Sequence, residues 1–227
     1  ITMLRLVSYR SRSASSPWHA GIERDAAVID LNTYPGGQQK YLTVRSFLQA
    51  SKSEQADILT WATHALDAGD QILPLNQVKL GPPIPDPDKI LCLGLNYPEH
   101  VNEAEAATPV VPTFFAKFRN SLIGPESPIV LPTVSKFIDY EGELAVIIGT
   151  RCKGVSKEEA LSYVAGYTVC NDVSARNLQM QTPQWTAGKA IDTFAPMGPG
   201  SVLAADIPDP QRLMLTTRVN GDVVQHE

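Results

Sequence analysis

Apolar positions fall into two textures along this chain. Up to about Gln71, short apolar runs at Met3 to Tyr9 and Ala26 to Leu31 predict strands. They precede a segment, Ser53 to Ala68, in which Ile58, Leu59, Ala62 and Leu66 recur at helical spacing, with Ser53 and Gln55 near its start and Gly69 closing it. The run Pro82-Pro83-Ile84-Pro85-Asp86-Pro87 then blocks regular structure and predicts a boundary. From Lys89 the pattern changes to apolar strands separated by Gly, Pro and Asn: Ile90 to Leu95, Thr113 to Phe118, Leu144 to Ile148, Gly166 to Cys170 and Met214 to Gln225. Asn220-Gly221 predicts a hairpin turn inside the last of these. The chief helix in this half is expected over Ser156 to Val164, where Ser156 and Glu159 stand at capping-box spacing. The pattern therefore predicts a β-rich α+β protein: a small α+β N-terminal domain over 1–81 and a strand-dominated domain over 82–227. The last strand reaches Glu227 without a closing turn, so an unpaired edge and a domain that continues further are expected.

Composition narrows the function. The chain has 227 residues, 43% hydrophobic and 19% charged, enough for a substantial core in the ordinary soluble range. A net charge of -5 with no Lys/Arg run argues against nucleic acid or an anionic bilayer as partner. No apolar run approaches the roughly 20 residues of a membrane span, and Ile1 to Arg12 lacks a signal-peptide layout. The expected location is cytoplasmic, or mitochondrial if a targeting segment has been removed. Cys92, Cys152 and Cys170 lie far apart in strand-like segments and read as reduced core residues. Neither they nor His19, His64, His100 and His226 show zinc-ligand spacing.

The chemistry concentrates around Asp139-Tyr140-Glu141-Gly142-Glu143, which sets acids at every second position directly before the apolar run to Gly149. Strand alternation points Glu141 and Glu143 the same way, and paired like charges at the mouth of a buried strand repel unless a cation lies between them. Asp172, just past the strand predicted to end at Asn171, can supply a third carboxylate. Oxygen-only ligation selects magnesium, manganese or calcium. The competing reading is a solvated edge-strand face with Asp172 capping a turn; spacing leaves both open. His100 and Glu103, three apart, can share a helix face, so the glutamate can orient the histidine as a general base; a surface ion pair reads as well. Arg176, Gln179 and Lys189, taken alone, read as surface polar groups.

Five ordered motifs, LCLGLNYPEHVNEA, FFAKF, DYEGELAVIIG, GYTVCNDVSARNLQ and WTAGKAIDTFAPMGP, resemble the fumarylacetoacetate hydrolase superfamily in its compact C-terminal-like domain. The resemblance runs from about Lys89 onward and implies that superfamily's β-roll catalytic domain; the first 80 or so residues resemble its small N-terminal domain only loosely. It implies Glu141, Glu143 and Asp172 as ligands of magnesium, with manganese or calcium as substitutes. It implies His100 with Glu103 as the acid/base pair, Lys189 as a catalytic group holding an oxyanion, Arg176 and Gln179 as substrate contacts, and a homodimer.

Departures refine the expectation. The acid that fumarylacetoacetase carries several residues before its histidine is missing from Leu91 to Asn96, and Phe118 after Lys117 is more like the group containing the oxaloacetate tautomerases. The superfamily's TGTP segment would lie beyond Glu227. The implied activity is a magnesium-dependent reaction of 2-oxo or β-diketo acids through a metal-bound enolate, with carbon-carbon hydrolysis ranked ahead of oxaloacetate tautomerisation, 2-hydroxymuconate-type isomerisation or decarboxylation. A non-catalytic metal- or ligand-binding member is the reading from another class.

Overall fold

Alternation in the first thirty residues starts a long sheet. The computed structural model describes residues 3–12, 16–37, 39–97 and 110–226. In it β1 (Arg5–Ser11), β2 (His19–Arg24) and β3 (Ala27–Asp30) form an antiparallel meander in which Leu6 faces Ile22 and Ile22 faces Ile29. Those three side chains bury one face of the meander against α1 (Val44–Leu48) and α2 (Lys52–Ala68), which contribute Val44, Phe47, Ile58 and Ala62. Each helix starts where a side chain can take an unpaired backbone donor: Thr43 accepts from Ser46 N, and Ser51 accepts from Glu54 N. Helix α2 ends at Gly69, whose φ of 69° is the left-handed conformation that favours glycine. β4 (Ile72–Pro74) closes one edge and β5 (Val78–Leu80) pairs with β1.

Beyond the proline connector come β6 (Ile90–Gly94), β7 (Thr113–Lys117), β8 (Leu122–Ile123), β9 (Ile138–Asp139), β10 (Gly142–Ile148), β11 (Val164–Asn171) and β12 (Ser174–Ala175). Short helices α3 (Arg176–Gln179) and α4 (Thr186–Lys189) lead to β13 (Ala195–Leu203) and the hairpin β14 (Thr216–Val219) and β15 (Asp222–His226). The main sheet runs β10-β11-β13-β1-β2-β3-β4, with β5 on β1 and β8 on β13. One sheet therefore spans the connector, because β13 pairs with β1 through Leu6 and Ser201. Ser8 on β1 reinforces the crossing by donating its hydroxyl to Pro83 O at 2.9 Å.

The expected β-rich α+β class is the observed one, and the predicted strands appear with ends moved by a few residues. Strand β13 was not foreseen. Its Pro196, Gly198, Pro199 and Gly200 read as breakers, yet it lies between β11 and β1. The sheet accommodates them by shifting register between Tyr167 and Val169, and Thr168 Oγ1 donates to Gly200 O at 2.9 Å within the gap. The helix expected over Ser156 to Val164 is reduced to a 3-10 turn at Ala160–Tyr163. The reciprocal Ser156–Glu159 bonds do form, but no residue of the turn is buried and Val164 is taken by pairing with Ile148. Cys152 is exposed outside any strand, unlike Cys92 on β6 and Cys170 on β11. Among the described residues no helix is long and apolar enough to cross a membrane.

Phe47 is fully enclosed in the helix-sheet core, so Phe47→Ala should lower unfolding free energy by about 3–5 kcal/mol in urea titrations.

Candidate functional site

Two neighbouring strands deliver the acidic residues. In the β10–β11 pair Gly142 lies opposite Asn171 and Glu143 opposite Cys170, which leaves Glu141 and Asp172 facing each other where both strands open. The opening is pinned by backbone: Asp172 N donates to Glu141 O at 2.8 Å, and Glu141 N donates to Asn171 Oδ1 at 3.0 Å. Carboxylate oxygens of Glu141, Glu143 and Asp172 then lie within 4.8 Å of one another. The same-side placement expected from alternation is what the structure has.

Cations surround this cluster. Lys189, at the end of α4 and 2% exposed, donates to Glu141 Oε2 at 2.6 Å and to Asp172 Oδ2 at 3.0 Å. Arg176, at the start of α3, donates to Glu141 Oε1 at 2.5 Å and to Gln179 Oε1 at 3.1 Å. Its Nε and Nη2 hold Asp139 Oδ2 at 2.9 and 2.7 Å. Residues that read as surface groups one at a time are thus half-buried or buried at one spot. Lys117, the last residue of β7, is the contributor that spacing did not reveal. Its side chain is wholly buried and donates to Val173 O at 3.1 Å, Phe194 O at 2.9 Å and Lys189 O. It joins β7, the turn after β11, the end of α4 and the entry to β13. A lone lysine closing the apolar run Phe114-Phe115-Ala116 was the available signal.

The charge distribution bears on what the cluster can hold. The three donors of Lys117 go to three carbonyls, so Asp172 Oδ1, 2.6 Å from its nitrogen, has a charge neighbour but no hydrogen bond. Burial raises the Glu141 carboxyl, but Lys189 and Arg176 together outweigh it and hold the group below the usual carboxylate range. For Glu143 the balance is reversed, because the charges of Lys189 and Lys117 pull its carboxyl down but are outweighed. Burial, then the charges of Asp172 and Glu141, push it up to about 8. Burial also raises the thiols of Cys92, to about 12, and of Cys170, which keeps both neutral and leaves an oxygen-only donor set. A buried acceptor without a hydrogen bond, beside a carboxylate pushed toward its neutral form, fits a hard divalent cation.

One wall is aromatic. Phe115 lies under the Lys189 ammonium, 5.0 Å from nitrogen to ring centroid, and meets Trp185 edge-on at 5.5 Å. Gly94 permits this, since a Cβ there would come within 2.3 Å of the Trp185 ring. His100 and Glu103 lie outside the described residues. Tyr97 is described, and its hydroxyl accepts from Leu144 N at 2.9 Å, one residue along β10 from Glu143.

Comparison with known proteins bears on the same residues. The model of the fumarylacetoacetate (FAA) hydrolase C-terminal family matches residues 89–227. The chain belongs to the fumarylacetoacetate hydrolase family. It is 40% identical over 225 residues to the mitochondrial oxaloacetate tautomerase Fahd2a of Rattus norvegicus, covering 98% of this chain and 70% of that protein. Among solved structures, the maleylpyruvate hydrolase of Sphingobium sp. SYK-6, in complex with manganese (II) ion and pyruvate, superposes with a TM-score of 0.76 at 28% identity. That match covers 98% of this chain and 76% of the other. The 2-hydroxyhepta-2,4-diene-1,7-dioate isomerase of Mycobacterium marinum matches at TM-score 0.69 and 31% identity, over 98% and 74% of the two chains. This family member is thus an enzyme of the hydrolase, tautomerase and isomerase group.

The Glu143 shift has a measurable sign. Between the usual carboxylate range and about pH 8 the folded, metal-free protein holds a proton on Glu143 that the unfolded chain has released. Its stability therefore falls as pH rises through that interval. Thermal scans in chelator should show this fall and show it flattened in Glu143→Gln; an unchanged slope in the variant would remove Glu143 as its source.

Proposed function

We propose that this family member is a divalent-cation-dependent enzyme of 2-oxo acids that interconverts their keto and enol forms, with oxaloacetate as the substrate class. The convergence of Glu141, Glu143 and Asp172 within 4.8 Å carries the metal part of the reading. The 40% identity to a tautomerase supports this choice of reaction. The motifs by themselves ranked carbon-carbon hydrolysis first, and hydrolysis stays as the second reading on the 28% likeness to a maleylpyruvate hydrolase. Magnesium is the proposed ion, with manganese as substitute, and the mitochondrial location of the tautomerase relative is the proposed one. A homodimer belongs to the same reading, supported by exposed Leu91, Phe114, Val146 and Ile148 on β6, β7 and β10.

Glu141, Glu143 and Asp172 would hold the ion, which when bound supplies Lewis acidity toward the oxygens of a 2-oxo acid. The chain's own groups do the rest. Lys189 places an ammonium donor beside the same spot, where it offsets negative charge developing on the 2-oxo oxygen. Arg176 and Gln179 flank Glu141 and suit a substrate carboxylate. Phe115 and Trp185 exclude water from one side. His100, paired with Glu103 as the family resemblance implies, would move the proton between C3 and oxygen. For hydrolysis the same histidine would instead activate water against a second carbonyl.

Product analysis separates the two reactions. With enol-oxaloacetate the enzyme should speed the loss of enol absorbance without loss of carbon, while pyruvate release from acetylpyruvate would establish hydrolysis in its place. His100→Ala should lower turnover by roughly 10² to 10⁴ and spare magnesium binding, whereas Glu141→Ala should abolish binding in titration calorimetry. Retained affinity in Glu141→Ala would defeat the ligand assignment.

A further inference from the structure

Glu141 and Glu143 are separated by one residue, so the peptide planes on either side of Gly142 set the direction of both carboxylates. In an antiparallel pair every second residue turns its N–H and C=O away from the partner strand. Gly142 and Leu144 are such residues on β10: Leu144 N donates outward to Tyr97 Oη at 2.9 Å, and Gly142 N donates outward to Gln225 Oε1 at 3.1 Å. Gln225 Nε2 donates back to Gly142 O at 3.0 Å. One side-chain amide thus occupies both backbone groups of the residue between the two glutamates, as a neighbouring strand would.

The amide arrives from 83 positions away, on a β14–β15 hairpin that is no part of the main sheet. Its orientation is fixed, because Thr217 Oγ1 donates to Gln225 Oε1 at 2.9 Å. Glycine is required beneath it. A Cβ at position 142 would lie 2.2 Å from Thr217 Oγ1 and 2.8 Å from Gln225 Oε1.

We propose that Gln225 is a positioning residue for the metal site: its amide locks the Gly142 peptides, and through them holds Glu141 and Glu143 in the direction that lets both oxygens meet one cation. The proposal rests on the divalent-cation reading above. Outer groups that orient ligands in this way commonly change metal affinity by about 10- to 100-fold when removed.

The test is manganese binding to the metal-free chain, followed by calorimetry beside a thermal-unfolding scan of each variant. Gln225→Ala should weaken manganese about 10- to 100-fold. Gln225→Glu, which can still accept from Gly142 N but cannot donate to its carbonyl, should fall between wild type and Gln225→Ala. Val224→Ala, on the same strand and away from Gly142, should bind as wild type does, which separates the amide from general loosening of the hairpin. Gly142→Ala collides with Thr217 Oγ1 and with the amide that this hydroxyl holds, so its effect on affinity should be much smaller in a Gln225→Ala background, where no amide is left to displace, than in wild type. Wild-type affinity in Gln225→Ala, or full additivity of the two substitutions, overturns the positioning role while leaving the cation reading intact. Failure of the unmutated chain to bind manganese overturns both.

Discussion

Everything at this site follows from the repulsion among three carboxylates held within 4.8 Å in a partly buried corner of a sheet. Among the described residues three cations meet that repulsion, each with partners of its own. Lys117 spends its donors on backbone carbonyls, Arg176 is shared with Asp139, and Lys189 bridges Glu141 and Asp172. What is left over is Glu143, and its carboxyl shifts toward the neutral form because burial and the charges of Asp172 and Glu141 outweigh the pull of Lys189 and Lys117. The imbalance is local and directional, which distinguishes the cluster from an ordinary acidic surface.

Holding such a cluster needs a rigid frame, and the frame is wider than the strands that carry the acids. β11 is flanked by β10 and β13, and β13 passes the sheet on to β1, so the N-terminal helices bury a core beneath the same sheet. The corner is closed by side chains reaching between separate pieces of backbone. Lys117 gathers three carbonyls from three segments, Asn171 takes the Glu141 amide, and Gln225 takes both groups of Gly142. Each exchanges a water-exposed or unpaired backbone group for a protein partner, the condition for keeping polar backbone at a half-buried site.

The sequence made the local part of this legible. Alternation of period two is enough to put Glu141 and Glu143 on one side, and an acid following a strand is enough to suspect Asp172. The α2 helix was readable for the same reason, since its cap, its apolar spacing and Gly69 all lie within it. What was not readable depends on contacts between distant segments. Nothing near Gln225 or Asn171 signals a backbone partner, and Lys117 becomes meaningful only once β7 is placed against the turn after β11. Strand β13 was hidden by its own prolines and glycines, which a register shift and the Thr168 hydroxyl absorb. The 3-10 turn at Ala160–Tyr163 failed as a helix because sheet pairing claimed its last residues, a tertiary override of a correct capping signal.

The arrangement also bears on how one family can include tautomerases, isomerases and hydrolases. Lys189 places its ammonium between Glu141 and Asp172, at the centre of the carboxylate corner. The same ammonium stands over the Phe115 ring, 5.0 Å from its centroid, so an aromatic face closes one side of it. Under the proposed function, a group held there would stabilise negative charge on the 2-oxo oxygen however that charge arises, whether by loss of a proton at C3 or by cleavage of the bond to C4. On that reading the corner would set the chemistry of the oxygen end of the substrate, and the choice between reactions would rest on what meets C3 and C4.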